Sequence, residues 1–231
     1  MVDKEQDKFE GFSPETLEFL RNLKANNNKV WFEAHRLNYQ TYLLEPLRHL
    51  VAEMGSFMLS IDPYFEVTPA INKTISTIHR DTRFSRDKSP YKSTVWITFK
   101  RPSQDWKDAP AYFFELSLDS YRYGMGFYSA SKDAMDKFRE RIDQKSEEFF
   151  KAISFYFNQE IFVVEGEQYK KMLDQSKSEE IQLWYQRKNL YLVCNREADQ
   201  RLFGRSLLTD LMDGFELLAP FYHYLWQVKS N

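Results

Sequence analysis

Apolar side chains in the first sixty residues recur every three or four positions, which is the period of an α-helix. A first helix is predicted to begin at Pro14, because Ser13 is a suitable N-cap and proline is favoured at the first helical position. A later helix is predicted from Pro46 to the break at Asp62. Its apolar residues keep a helical spacing at Leu47, Leu50, Val51, Met54 and Met58.

A run of three asparagines at residues 26–28 separates the first helix from a short second one. Asparagine is a preferred N-cap, so this run is expected to end one helix and begin the next. In the second helix Trp31, His35 and Asn38 share one face, and Phe32 leads the neighbouring face. The patterns together predict three helices before residue 62.

Apolar and polar residues alternate in the middle of the chain, which is typical of β-strands. The short Asp119-Ser120 joint between the last two alternating segments predicts a hairpin. We therefore expect a central antiparallel sheet of about four or more strands. The predicted strands cover residues 75–80, 94–100, 111–118 and 121–128.

Helical spacing returns after residue 131, and a further short strand is predicted at residues 190–194. A terminal helix is expected at residues 207–228, interrupted near Gly214 or Pro220. Helices, then strands, then helices predict an α+β fold, with N-terminal and C-terminal helices packed on the sheet. No linker divides the chain, so we expect a single domain over residues 1–231. The apolar stripe of the first C-terminal helix, over residues 134–157, is Phe138, Ile142, Phe149, Ile153 and Phe157.

The composition is that of a folded protein with an aromatic core. Hydrophobic residues make up 42% of the 231 residues and aromatic residues 17%, against only 7 Gly and 8 Pro, which argues against disorder. The net charge of −2 gives the chain no general attraction for nucleic acid or a membrane surface, so neither is an expected partner. A single cysteine, Cys194, and a polar N-terminus predict a cytoplasmic protein.

Positive charge is concentrated in residues 80–92, which we call the cationic segment. It contains five Lys or Arg side chains and two aspartates, a net charge of +3 within a chain of net charge −2. Arg83, Arg86 and Lys88 could converge on one phosphate or carboxylate group, because a guanidinium group presents paired donors to such anions. One interpretation is therefore that the segment binds a small anionic ligand.

The alternative interpretation is that the cationic segment is a structural brace. Asp81 and Asp87 would then pair with the arginines, while Phe84 and Tyr91 pack into the core. The chain would be a structural or interaction protein, whose segment locks helices to the sheet or docks an acidic partner. The residues themselves leave both interpretations open, and with them whether the protein is an enzyme.

No other pattern in the chain names a reaction. His79 and Asp81 do not supply the three or four ligands of a metal site, and no ligand spacing occurs elsewhere, so neither a metal nor a cofactor is expected. Gly124 and Gly126 lie in a strand-like run without the rest of a phosphate-binding loop, which predicts a bulge or a close approach of two backbones. Cys194 is expected to be a buried small side chain.

Four strings stand out when the chain is considered together: Gly11-Phe12-Ser13, the asparagine run followed by Val30-Trp31-Phe32, then Tyr39, and the cationic segment RDTRFSRDKSPYK. With these strings the chain resembles the DUF2461 family of uncharacterised bacterial and fungal proteins over nearly its whole length. The chain departs from the glycine-richer form of this family around Gly124. The resemblance implies a single cytoplasmic domain and directs attention to the cationic segment, but it brings no established activity.

We therefore expect an anion-recognising α+β domain centred on the cationic segment. In this hypothesis Arg83, Arg86 and Lys88 hold the anion, and the two aspartates orient these cations. Trp31 or Tyr91 supplies an apolar wall. The candidate ligand-binding residues are Arg80, Asp81, Arg83, Arg86, Asp87, Lys88, Tyr91, Lys92 and Trp31.

Overall fold

A computed structural model describes residues 8–83, 86–102, 108–127 and 129–230 of the chain. These residues form a five-stranded antiparallel sheet with helices before and after it in the chain, which confirms the α+β prediction. Within the same residues, no helix has both the length and the apolar character needed to cross a membrane.

The N-terminal region is helical, as the periodicity predicts. The Ser13 N–H donates to the Thr16 hydroxyl at 3.1 Å, and Asn28 Oδ1 accepts from the Trp31 N–H at 3.0 Å, so both predicted helix starts are confirmed. A π-helix, which the sequence does not predict, joins the second and third predicted helices. The elements are α1 (Pro14–Ala25), α2 (Lys29–Ala34), α3 (Arg36–Asn38), the π-helix (Tyr39–Leu44) and α4 (Glu45–Ile61).

The five strands lie in the order β1-β2-β3-β5-β4. The edge strand β4 was not predicted from the sequence, because its three residues are too few to establish a period of two. It pairs antiparallel with β5, with Val164 opposite Leu192. The strands are β1 (Val95–Phe99), β2 (Pro110–Leu116), β3 (Ser120–Phe127), β4 (Val163–Glu165) and β5 (Tyr191–Glu197).

The strand predicted at residues 75–80 is not a regular strand. Its first half pairs with β1, where the Ser76 N–H donates to the Trp96 carbonyl at 2.9 Å. Its second half pairs instead with the end of the cationic segment, through an isolated bridge between His79 and Tyr91. Apolar and polar residues do alternate here, but the segment pairs first with β1 and then with the cationic segment. A regular strand would pair with one neighbouring strand along its whole length.

The chain forms two compact units. The first contains the chain up to Phe99, Phe113–Arg122 and Asn195–Met212, and the second contains Lys100–Tyr112, Tyr123–Cys194 and the chain from Asp213 onward. Both have aromatic cores, as the composition suggests. In the first unit the Phe12 ring stacks on Phe114 with centroids 5.8 Å apart. In the second, the Trp184 ring lies 5.0 Å from Phe221 and 5.7 Å from Phe149.

The C-terminal helices differ from the predicted ones in two places. The helix expected over residues 134–157 is divided into three parts, and Phe157 is 50% exposed because the third part turns it out of the stripe. The terminal helix is continuous through Gly214 and Pro220, since Leu218 and Phe221 are fully buried and packing holds the helix on both sides of the proline. The helices are α5 (Lys132–Gln144), α6 (Ser146–Ala152), a 3₁₀-helix (Ser154–Asn158), α7 (Glu179–Tyr185) and α8 (Ser206–Ser230).

Gly124 and Cys194 have the surroundings that the sequence predicts. A Cβ at Gly124 would be 1.9 Å from the Leu192 carbonyl oxygen, so the strand can pass this close only because glycine has no side chain. Cys194 is buried, as its apolar surroundings in the sequence predict.

Candidate functional site

The cationic segment folds back so that its two ends lie side by side in the first unit. The main-chain N–H groups of Arg80 and Lys92 each donate to a carbonyl of the facing chain at 2.8 Å, and His79 lies opposite Tyr91 in this antiparallel pairing. Because side chains alternate between the faces of paired strands, Arg80 and Lys92 share the face opposite to His79 and Tyr91. The two cations are therefore diagonal neighbours.

Tyr91 anchors the segment to the asparagine run and to α2. The Asn27 side chain donates to the Tyr91 carbonyl at 2.9 Å, and its Oδ1 accepts from the Tyr91 N–H at 3.0 Å. The Phe32 ring stacks on the Tyr91 ring with centroids 4.3 Å apart. Tyr91 is only 3% exposed, and burial raises the pKa of its phenol. One end of the segment is thus held rigidly.

Both aspartates of the segment pair with its arginines. Asp81 makes a two-point contact with Arg83, at 2.8 and 3.0 Å, and this hydrogen bonding lowers the pKa of the Asp81 carboxyl to about 2. Asp87 Oδ2 lies 3.1 Å from Arg80 Nη1, and hydrogen bonds from the Ser89 hydroxyl and N–H lower the pKa of Asp87 further than Arg80 does. These are the pairs that a structural brace requires.

The other cations have no carboxylate partner among the described residues. Lys88 Nζ donates to the Thr82 carbonyl at 2.8 Å, and Arg86 is exposed. Lys92 is half-buried, and burial, followed by the nearby Arg80, lowers the pKa of its ammonium group. Arg80 Nε is buried and finds no acceptor in this part of the chain. Arg80 and Lys92 together therefore carry more positive charge than Asp87 balances.

Trp31 does not join the cationic segment. Its ring stacks on His35 with centroids 4.0 Å apart and lies 5.9 Å from the Phe19 ring. No ring contact or hydrogen bond links Trp31 to residues 80–83 or 86–92. The apolar side chain beside Tyr91 is that of Phe32. Trp31 and Phe32 are adjacent on α2 and therefore point to different faces of the helix, as their positions predict.

Sequence reasoning missed Asn27 and Phe32 as residues that hold the candidate site. The signal was present, because both lie in the strings that carry the family resemblance, but nothing in those strings says which residue meets which. Phe84, a further residue of the segment, lies outside the described residues. Across residues 8–83, 86–102, 108–127 and 129–230, no three His, Cys, Asp or Glu side chains are arranged to hold a metal ion.

One family model matches residues 15–224 of the chain, and its description is conserved hypothetical protein (DUF2461). The chain belongs to the DUF2461 family. The matched residues include the whole cationic segment together with Asn27 and Phe32, so the contacts described above lie within the region that defines the family. No curated protein matches the chain.

Proposed function

We propose that this member of the DUF2461 family is a cytoplasmic anion-recognising domain that binds a phosphate or carboxylate group beside Arg80 and Lys92. The observation that supports this most strongly is the half-buried Lys92 ammonium, which lies near Arg80 and has no carboxylate partner among the described residues. Removing a charge from water is unfavourable unless the charge is paired. A bound anion would pair the Lys92 ammonium and balance the charge that Asp87 leaves over beside Arg80.

The proposal moves the centre of the site from the residues that the sequence favours. Arg83 already makes its two-point contact with Asp81, and Lys88 already donates to a main-chain carbonyl. Arg80 also pairs with Asp87 and donates to the Tyr91 carbonyl at 3.5 Å, but its buried Nε has no acceptor among the described residues, and Lys92 offers an ammonium with three donors. In this proposal Asp87 orients Arg80, and the exposed Arg86 strengthens attraction of the anion from solution.

A structural role is the second candidate, and the hydrogen bonds of the segment favour it. The pairs Arg83–Asp81 and Arg80–Asp87 and the contact of Asn27 with Tyr91 are what a brace between α2 and the chain next to β1 would use. The two candidates differ in what Lys92 contributes. A brace gains nothing from a half-buried cation without a carboxylate, whereas an anion site depends on it.

The test measures thermal unfolding of the full chain in inorganic phosphate, in citrate and in chloride of equal ionic strength. An anion at ten times its Kd stabilises the folded protein by about 1.4 kcal/mol, which raises Tm by ~3–6 °C for a chain of this size. The variants Arg80→Gln and Lys92→Met should lose this increase. Lys137→Met is the matched control, because Lys137 is an exposed cation on α5, outside the first unit.

The control separates binding from the general stabilisation that excluded salts give to any folded protein. Anion binding predicts a Tm increase that is present in the wild type and in Lys137→Met and absent in the two site variants. The structural role predicts equal anion effects in all four proteins, with a lower Tm for Arg80→Gln under every condition. That result would reject the proposed function.

A further inference from the structure

A pocket of about 230 Å³ lies at the face of α2 that carries Trp31, within the first unit. Two helical segments form its walls, and each contributes four residues. The first wall belongs to α1 and the second extends from α2 into the π-helix. The lining residues are Glu15, Glu18, Phe19 and Asn22 on the first wall and Trp31, His35, Asn38 and Tyr42 on the second.

The side chains that line this pocket have a consistent chemistry. Glu15 and Glu18 carry two negative charges, and the described residues that line the pocket include no Lys or Arg to balance them. Trp31 and Tyr42, both partly exposed, contribute aromatic rings of the kind whose faces attract cations, and the buried Phe19 ring lies 5.9 Å from Trp31. The lining is therefore unsuited to the anion proposed for the cationic segment, and suited to a cation that also has an apolar surface.

The two walls are fixed to each other before any ligand arrives. Thr16 on α1 is fully buried, and its hydroxyl donates to the Tyr42 carbonyl in the π-helix at 2.5 Å. The Trp31 ring is stacked on His35, whose Nδ1 lies 2.8 Å from the Trp31 carbonyl oxygen. Such fixed geometry lowers the entropy that the side chains of the pocket lose when a ligand binds. A π-helix in one wall agrees with a functional role, since these wide turns are frequent at functional sites.

From these observations we propose that the pocket binds a small organic ammonium cation, with Glu15 and Glu18 neutralising the charge and the aromatic rings contacting the alkyl groups. The volume is well above the roughly 10–15 Å³ that a single water molecule needs, which leaves room for a ligand of several non-hydrogen atoms. This site is separate from the anion site, and neither proposal depends on the other.

The experiment is a calorimetric titration of the full chain with choline at low ionic strength, where exposed charges are least screened. The comparison ligand is 3,3-dimethylbutan-1-ol, which has the shape of choline without the charge. We expect choline to bind with a Kd on the order of 1 mM, as its small size allows, and the neutral alcohol to bind at least roughly tenfold more weakly.

Two variants assign this binding to the pocket. The double variant Glu15→Gln/Glu18→Gln keeps the shape of the acidic wall and should weaken choline binding by roughly fivefold or more. Trp31→Leu removes one ring and should weaken it by roughly two- to fivefold. The matched control is Glu179→Gln/Glu180→Gln, which removes two exposed carboxylates from the first turn of α7, and it should bind choline like the wild type.

Circular dichroism checks that every variant is folded, and Trp31→Phe, which keeps a ring in place, replaces Trp31→Leu if the latter unfolds. The proposal is overturned if choline shows no heat of binding at about 10 mM, roughly ten times the expected Kd. Equal binding of choline and the neutral alcohol would overturn it as well, because charge would then play no part. Unchanged choline binding in Glu15→Gln/Glu18→Gln would have the same consequence.

Discussion

The two hydrogen bonds between Asn27 and Tyr91 make a quantitative prediction about how the cationic segment is held. They join the amide side chain to both main-chain groups of a residue that is 3% exposed, at 2.9 and 3.0 Å. Asn27→Ala leaves the buried Tyr91 N–H without its partner, at about 1–3 kcal/mol, and leaves the Tyr91 carbonyl with only the longer 3.5 Å hydrogen bond from Arg80 Nη2. We expect a loss of about 2–4 kcal/mol in unfolding free energy, which lowers Tm by ~5–15 °C.

Differential scanning calorimetry measures this loss, and amide hydrogen exchange locates it, because the Tyr91 N–H should exchange faster in Asn27→Ala. Asn27→Asp keeps the acceptor for the Tyr91 N–H but removes the donor, so it should lose an intermediate amount. Asn26→Ala is the matched control, since the Asn26 side chain is exposed and its one hydrogen bond to a described residue is to the Asn22 carbonyl. If Asn27→Ala were as stable as Asn26→Ala and Tyr91 exchanged no faster, the anchoring role would be wrong.

Three further predictions follow from local geometry and charge. Burial lowers the pKa of Lys92, so its charge lowers the stability of the folded protein at pH values below that pKa, and this effect disappears as the pH rises through it. Lys92→Met should therefore raise the free energy of unfolding by up to about 1 kcal/mol at pH 7, as measured by chemical denaturation. In the same assay Gly124→Ala should lower the free energy of unfolding by about 1–3 kcal/mol. Gly55→Ala should leave it nearly unchanged, because the new Cβ would be 3.8 Å from its nearest atom. The Asp81 carboxyl should titrate near pH 2 by NMR and shift upward in Arg83→Gln, because its partner keeps it ionised above that value.

Much of the fold could be predicted because it depends on local pattern. The helix start at Ser13, the cap at Asn28 and the separation of Trp31 from Phe32 on α2 all follow from residue type and helical period. The close approach at Gly124 likewise follows from a residue that has no side chain.

The candidate site could be predicted only in part, because its contacts join residues far apart in the chain. The charges of residues 80–92 are visible in the sequence, but the partner of each is not. Asn27 meets Tyr91 across 64 positions, and no local rule connects an asparagine that follows a helix to a tyrosine that follows a proline. The partner change within residues 75–80 is hidden for the same reason, since alternation describes a chain without saying what it pairs with.

The most direct test of the anion-recognition proposal is a titration of the ¹⁵N-labelled protein with inorganic phosphate, followed by amide and lysine side-chain NMR. The proposal predicts saturable shifts confined to Arg80, Lys92 and their neighbours in the cationic segment, including the Lys92 ammonium, and no such shifts in Lys92→Met. Shifts that do not saturate, or that persist unchanged in Lys92→Met, would contradict it.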